Sequence, residues 1–102
     1  MFVSVHRDMK YRGSTEIMDS ILRSTKSGAT KTHIMYQAYL SYIQLQEYLT
    51  LLQQRELIKY YDDKRMFQIT ERGLLFMNAY EEISQLIPRI EVRKSSLMNV
   101  NS

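Results

Sequence analysis

A mostly helical α+β fold is predicted for this 102-residue chain, with three helices, a two-stranded hairpin and a long C-terminal helix. Three observations predict it. Over the first half, apolar residues recur at helical spacing behind helix-capping serines and threonines. A β-rich run, Leu57-Ile58-Lys59-Tyr60-Tyr61, then breaks that period, and four polar residues separate it from Met66-Phe67-Gln68-Ile69. After Thr70 the alternation of four and three returns through Phe76, Tyr80, Ile83, Ile87 and Ile90.

Residues 1–13 read as a basic N-terminal arm with Arg7, Lys10 and Arg12, ending at Gly13. Ser14 or Thr15 is expected to cap a helix to about Ser27, with Ile17, Ile21, Leu22 and Thr25 on one face. Gly28 is expected to end it as a left-handed cap. Thr30 caps a short second helix carrying Ile34 and Met35, to about Ala38. Ser41 starts the third, and Gln44 three residues on completes a capping-box pattern. Leu45, Leu49 and Leu52 form its inner stripe, with Tyr48 alongside, and it ends near Gln54-Arg55.

The two β-rich runs make a hairpin with Asp62-Asp63-Lys64-Arg65 at its tip. Thr70 caps the last helix, with Glu71 favourably placed in the first turn. Pro88 removes a backbone donor and crowds the preceding turn, so that helix is expected to stop or kink near Leu86-Ile87. The domain is therefore placed at residues 14–87, with 88–102 a flexible or partly helical tail.

Composition excludes several classes of function. The chain has no cysteine, so no disulfide framework, thiolate metal site or thiol redox chemistry is available. Its apolar runs fall far short of the roughly 20 residues of a membrane span, and the N-terminus lacks a signal-peptide apolar segment. A soluble, cytoplasmic protein is expected. Lys+Arg 14 against Asp+Glu 11 gives +3 and a pI of about 9.2. So small an excess permits nucleic-acid binding without requiring it.

The order of elements carries the functional reading. Two short helices joined by a tight turn form a helix-turn-helix, and the hairpin after it forms a wing. The second helix of such a motif needs an apolar inner stripe and an outer face that is polar without strong acidity. From Ser41 to Gln54 the only charged residue is Glu47. Ser41, Tyr42, Gln44, Gln46 and Thr50 supply neutral hydrogen-bonding groups suited to base edges, glutamine pairing bidentately with adenine. Lys31, Thr32, Lys64 and Arg65, with Arg7, Lys10 and Arg12 of the arm, suit phosphates. Against this, glutamines are ordinary helix formers on a wet face, and Lys64-Arg65 beside Asp62-Asp63 also fits a solubilised hairpin edge.

Other constellations carry little chemistry. His6 and His33 stand without clustered ligands, so no metal site is expected. Adjacent Asp62-Asp63 and Glu81-Glu82 diverge instead of sharing a proton. No nucleophile motif surrounds a serine, and no cofactor, small-molecule ligand or enzymatic activity is expected. Of the eight tyrosines, Tyr36 and Tyr48 fall at core-like positions, Tyr60 and Tyr61 point to opposite faces of their strand, and Tyr42 lies in the first turn of the third helix. The methionines read as core filler.

The stretches Gly28-Ala29-Thr30-Lys31-Thr32-His33-Ile34-Met35-Tyr36 and Ala38-Tyr39-Leu40-Ser41-Tyr42, followed by Gln44-Leu45, Tyr48-Leu49, Leu52, Leu57-Ile58 and Ile69-Thr70-Glu71-Arg72-Gly73, resemble the small archaeal winged helix-turn-helix regulators. The resemblance spans residues 14–85. It implies a winged-helix fold, DNA binding that is sequence-specific or architectural, and commonly a homodimer through the C-terminal helix. Here Pro88 shortens that helix relative to the long-coiled-coil members, and the wing turn lacks the glycine often found there. The expected dimer surface is Phe76, Tyr80, Ile83, Ile87 and Ile90. Two further readings use the same fold: a protein-interaction module of a larger assembly, and non-specific chromatin-type packaging of DNA.

Overall fold

The computed structural model describes residues 13–86. In chain order they form α1 (Ser14–Ser24), α2 (Lys31–Ala38), α3 (Tyr42–Gln54), β1 (Ile58–Tyr61), β2 (Met66–Ile69) and α4 (Glu71–Leu86). The predicted order is the observed one. The expected arm residues, the tail and any effect of Pro88 lie outside the described residues.

α1 buries Ile17, Ile21 and Leu22, and Thr25 just beyond it is also buried, as the spacing predicts. Its start and end differ from expectation. The N-cap is Gly13, in extended backbone with no side-chain cap bond. Ser14 already belongs to the helix, and its hydroxyl accepts from Tyr48 Oη at 3.3 Å. The helix ends at Ser24, where the chain turns to meet the wing. Thr25 is the C-cap, and its carbonyl accepts from Gly28 N and from Ile69 N of β2, at 3.1 and 3.0 Å. Gly28 does take a positive φ of 93°, but three residues past the cap, where the chain bends into Ala29.

Ala29 exchanges two backbone hydrogen bonds with Phe67, at 2.9 and 2.8 Å. One residue thus acts as a minimal third strand and fastens the helical half of the domain to the hairpin.

α2 is capped as expected, Thr30 Oγ1 accepting from His33 N at 3.2 Å. It ends at Tyr39 in the left-handed region, φ 57°, which reverses the chain into Leu40 and Ser41. At α3 both halves of the capping box form: Ser41 Oγ accepts from Gln44 N at 3.2 Å, and Gln44 Oε1 accepts from Ser41 N at 3.1 Å. Leu45, Leu49 and Leu52 are buried against α1 and α2 residues, with Tyr48 packed beside them.

β1 and β2 pair antiparallel in the register Ile58↔Ile69 to Tyr61↔Met66. The four-residue loop closes with Lys64 N donating to Tyr61 O and Arg65 N to Asp62 O, at 3.2 and 3.3 Å. Arg65 takes the left-handed conformation, φ 54°, that a glycine would adopt more cheaply. Ile58 and Phe67 are buried at the wing base, and Tyr60 lies over Phe67 with ring centroids 4.7 Å apart.

Thr70 both starts α4 and ties it down. Its Oγ1 accepts from Gly73 N at 3.0 Å and donates to Glu56 O at 2.7 Å. α4 turns Gly73 and Met77 inward, a pair the four-three seam did not single out. Phe76 packs against the core and Tyr80 is half-buried, while Ile83 and Leu86 are exposed. The helix therefore leaves the body in its last turns.

α1 and α4 are joined by charge as well as by packing. Asp19, buried on α1, accepts from Arg23 Nε at 2.7 Å, and Arg23 Nη2 reaches Glu81 Oε1 on α4 at 3.2 Å. The other carboxylate oxygen of Asp19 is buried without a hydrogen-bond partner among the described residues. The bond to Asp19 raises the Arg23 pKa above its usual range, against the opposing effect of burial, and Glu81 adds to the rise.

Candidate nucleic-acid interface

Two α-helices meeting at a tight left-handed turn, with the second held by a complete capping box, put α3 in a fixed orientation on the domain. Its three buried leucines define the inward direction. Because each helical residue advances by about 100°, Ile43, Glu47, Thr50 and Gln54 point most nearly outward, and all four are exposed.

The sequence-predicted base-facing residues divide into three kinds. Thr50 and Tyr42 are open, Tyr42 being 57% exposed. Gln46 is half-buried on the flank. Ser41 and Gln44 are exposed but spend their side chains on each other's backbone. Ile43 was missed by a search for polar groups, although it is 72% exposed. Projecting the helix from Leu45, Leu49 and Leu52 would have found it.

Lys31 and Tyr42 are brought together. The Lys31 ammonium stands 5.7 Å from the centre of the Tyr42 ring, within cation–π range. A cation at the start of α2 is thereby placed next to the first turn of α3. Thr32 is exposed one residue on. His33 lies in the first turn of α2, and its backbone N–H serves the Thr30 cap.

Lys64 and Arg65 are exposed on the wing loop next to Asp62 and Asp63. Among the described residues no hydrogen bond, ion pair or ring contact joins this tip to α3. The wing tip stands apart from α3, at the far end of β1 and β2. Lys59 lies 5.5 Å from the Tyr61 ring centre on the same strand, which adds a third exposed wing cation that the sequence reading did not include. Arg7, Lys10 and Arg12 lie outside the described residues, as do Ile87 and Ile90 of the expected dimer seam.

The tyrosines require one correction. Tyr36 is 71% exposed, not core-like, because α2 is only eight residues long and buries just Ile34 and Ala38. Tyr39, Tyr42 and Ile43 are also exposed, so the helix-turn-helix carries a group of uncovered apolar side chains near the turn. Tyr48 does pack against the core.

Among the described residues no group of three or more His, Cys, Asp or Glu side chains gathers to hold a metal ion. No helix there is long and apolar enough to cross a membrane.

No curated protein matches this chain. Among solved structures it is similar to Sso10a-2, described as a DNA-binding protein from Sulfolobus solfataricus. That likeness has a TM-score of 0.67 at 27% identity, covering 89% of this chain and 98% of the other. Residues 11–88 match the sequence profile of the winged helix-turn-helix family. Helix order, the turn at Tyr39, the hairpin after α3 and this match agree, and the chain belongs to the winged helix-turn-helix family.

Proposed function

We propose that this protein binds double-stranded DNA sequence-specifically, as a small homodimeric transcriptional regulator in the cytoplasm and without enzymatic activity. The observation that carries the reading is α3. It is the second helix of the motif, its inner stripe is fully used in the core, and its outer half holds one charged residue. Such a helix suits the floor of a major groove, where charge is sparse and hydrogen-bonding and methyl groups are dense. Lys31, at the start of α2 beside the first turn of α3, and Lys64 and Arg65 on the wing suit the phosphates on either side. The likeness to a DNA-binding protein at 27% identity supports the same reading.

The base-facing set is Tyr42, Gln46 and Thr50, with Ser41 and Gln44 contributing what their cap leaves free. Thr32 and the arm residues Arg7, Lys10 and Arg12 add phosphate contacts. Dimerisation runs through α4 by way of Ile83, with Phe76 and Tyr80 at its base and Ile87 and Ile90 continuing the seam. The exposure of Ile83 and Leu86 supports this, since a lone domain gains nothing from apolar side chains held in water. A dimer also presents the small set of cations twice.

The second reading, a protein-interaction module, is favoured by the exposed Tyr36, Tyr39 and Ile43. Selection from a random duplex library separates the two. A regulator enriches one motif, with two half-sites if it binds as a dimer. Architectural packaging gives binding without enrichment, and a protein-interaction module gives no duplex binding at low salt.

A further inference from the structure

Of the four outward positions of α3, Ile43 and Glu47 are the two nearest its N-terminal end, and neither side chain has a task among the described residues. Ile43 is 72% exposed, and Glu47 forms no ion pair among the described residues. We propose that Ile43 and Glu47 determine base specificity, Ile43 selecting a thymine methyl and Glu47 a cytosine amino group on nearby base pairs. The inference rests on the duplex-binding reading above and specifies what the helix recognises.

Chemistry narrows the choice at each position. The C5 methyl of thymine is the one apolar group that base edges present in the major groove. A β-branched side chain in a helix is restricted nearly to a single χ1 rotamer, so Ile43 is a fixed apolar knob that loses little freedom on contact. Glu47 lies one turn further along the same ridge. Its carboxylate accepts hydrogen bonds and donates none, so phosphates and carbonyl edges repel it. An exocyclic amino group satisfies it, and cytosine N4 is the usual partner of a helix carboxylate.

Four helical residues span about 6 Å, against about 3.4 Å per base step. The two contacts therefore fall one or two base pairs apart. Gln44, the obvious adenine reader in the sequence, already holds Ser41 N with its carbonyl oxygen. Turning that amide to a base gives up half of the capping box, whereas Ile43 and Glu47 give up nothing.

The test begins with the motif that the full chain enriches from random duplexes. Affinities are then measured with single thymines replaced by uracil, for the wild type, Ile43→Ala and Glu47→Gln. Both side chains are exposed, so the variants keep the core, and circular dichroism verifies it. One uracil replacement is expected to weaken the wild type about fourfold, the worth of one methyl-sized group, and to leave Ile43→Ala unchanged. Glu47→Gln is expected to lose about tenfold of the preference for cytosine at one position within two base pairs of that thymine.

Uracil replacement that is without effect throughout the site, or equal in wild type and Ile43→Ala, would overturn the proposal while leaving duplex binding intact. So would an unchanged motif for both variants, which would return the exposed Tyr36, Tyr39 and Ile43 to a protein-docking role. Failure to bind any duplex at low salt would overturn the duplex-binding reading itself and this proposal with it.

Discussion

Gly73 illustrates how one atom can be decisive. In a free helix, glycine costs about 1 kcal/mol relative to alanine, so Gly73→Ala would be expected to stabilise α4. In the fold, a Cβ at this position would overlap the Leu57 carbonyl oxygen and the Ile69 side chain. The first of these is backbone and cannot swing aside. Overlap outweighs propensity, and Gly73→Ala is expected to lower stability by about 2 kcal/mol in urea unfolding. Tyr80 offers a second test at this scale. Burial raises its pKa above the ordinary 10.0, and the charges of Glu16 and Asp19 add to the rise. The folded state therefore holds the phenol proton more tightly than the unfolded chain does. That contribution is complete below pH 10 and is lost as pH rises through the folded pKa. Tyr80→Phe is expected to flatten the fall in stability on the alkaline side, measured by thermal unfolding across pH.

Among the elements, what was readable from sequence was what the chain decides locally. The Ser41–Gln44 box, the Thr30 cap and the limits of β2 depend on residues three or four apart, and they form as predicted. Contacts across the fold left no such mark. The Ala29–Phe67 bridge joins residues far apart in sequence, and nothing about an alanine after a glycine announces it. The same limit hid the exposure of Tyr36, whose burial depended on how far α2 would run. At the candidate interface, the polar composition of α3 and its Ser41–Gln44 cap were both readable, but the outward-facing Ile43 was not found by looking for polar groups alone. The union of α1 with α4 tests the electrostatics at this scale. Arg23→Ala leaves the buried Asp19 carboxylate without its cation and is expected to cost about 2 kcal/mol. Glu81→Ala removes an exposed partner and is expected to cost less than about 1 kcal/mol. Equal losses from the two would show that the α4 contact, not the buried carboxylate, dominates.

At the scale of the whole molecule, modest charge is made effective by placement. The core takes the leucines of α3, the wing carries Lys59, Lys64 and Arg65 outward, and Lys31 stands at the Tyr42 ring. Asp19, Glu81 and Glu16 lie on the α1–α4 side of the fold with Arg23 and Tyr80, while Asp62 and Asp63 stand beside Lys64 and Arg65 on the wing. The proposed dimer doubles the cationic set through α4. Light scattering is expected to give a dimer mass for the wild type, and a monomer mass for Ile83→Asp, which places an unpaired charge in the seam. A wild-type monomer at high concentration would remove α4 from that role.

The most direct test is duplex affinity of the full chain measured across salt concentrations, beside Lys64→Ala. Binding is expected to weaken with salt along a straight line on logarithmic axes. Its slope should be about 0.9 per phosphate contact, and should fall by about that amount when Lys64 is removed. No duplex binding at low salt, or binding whose strength does not depend on salt, would contradict a winged helix that holds DNA by its wing and reads it with α3.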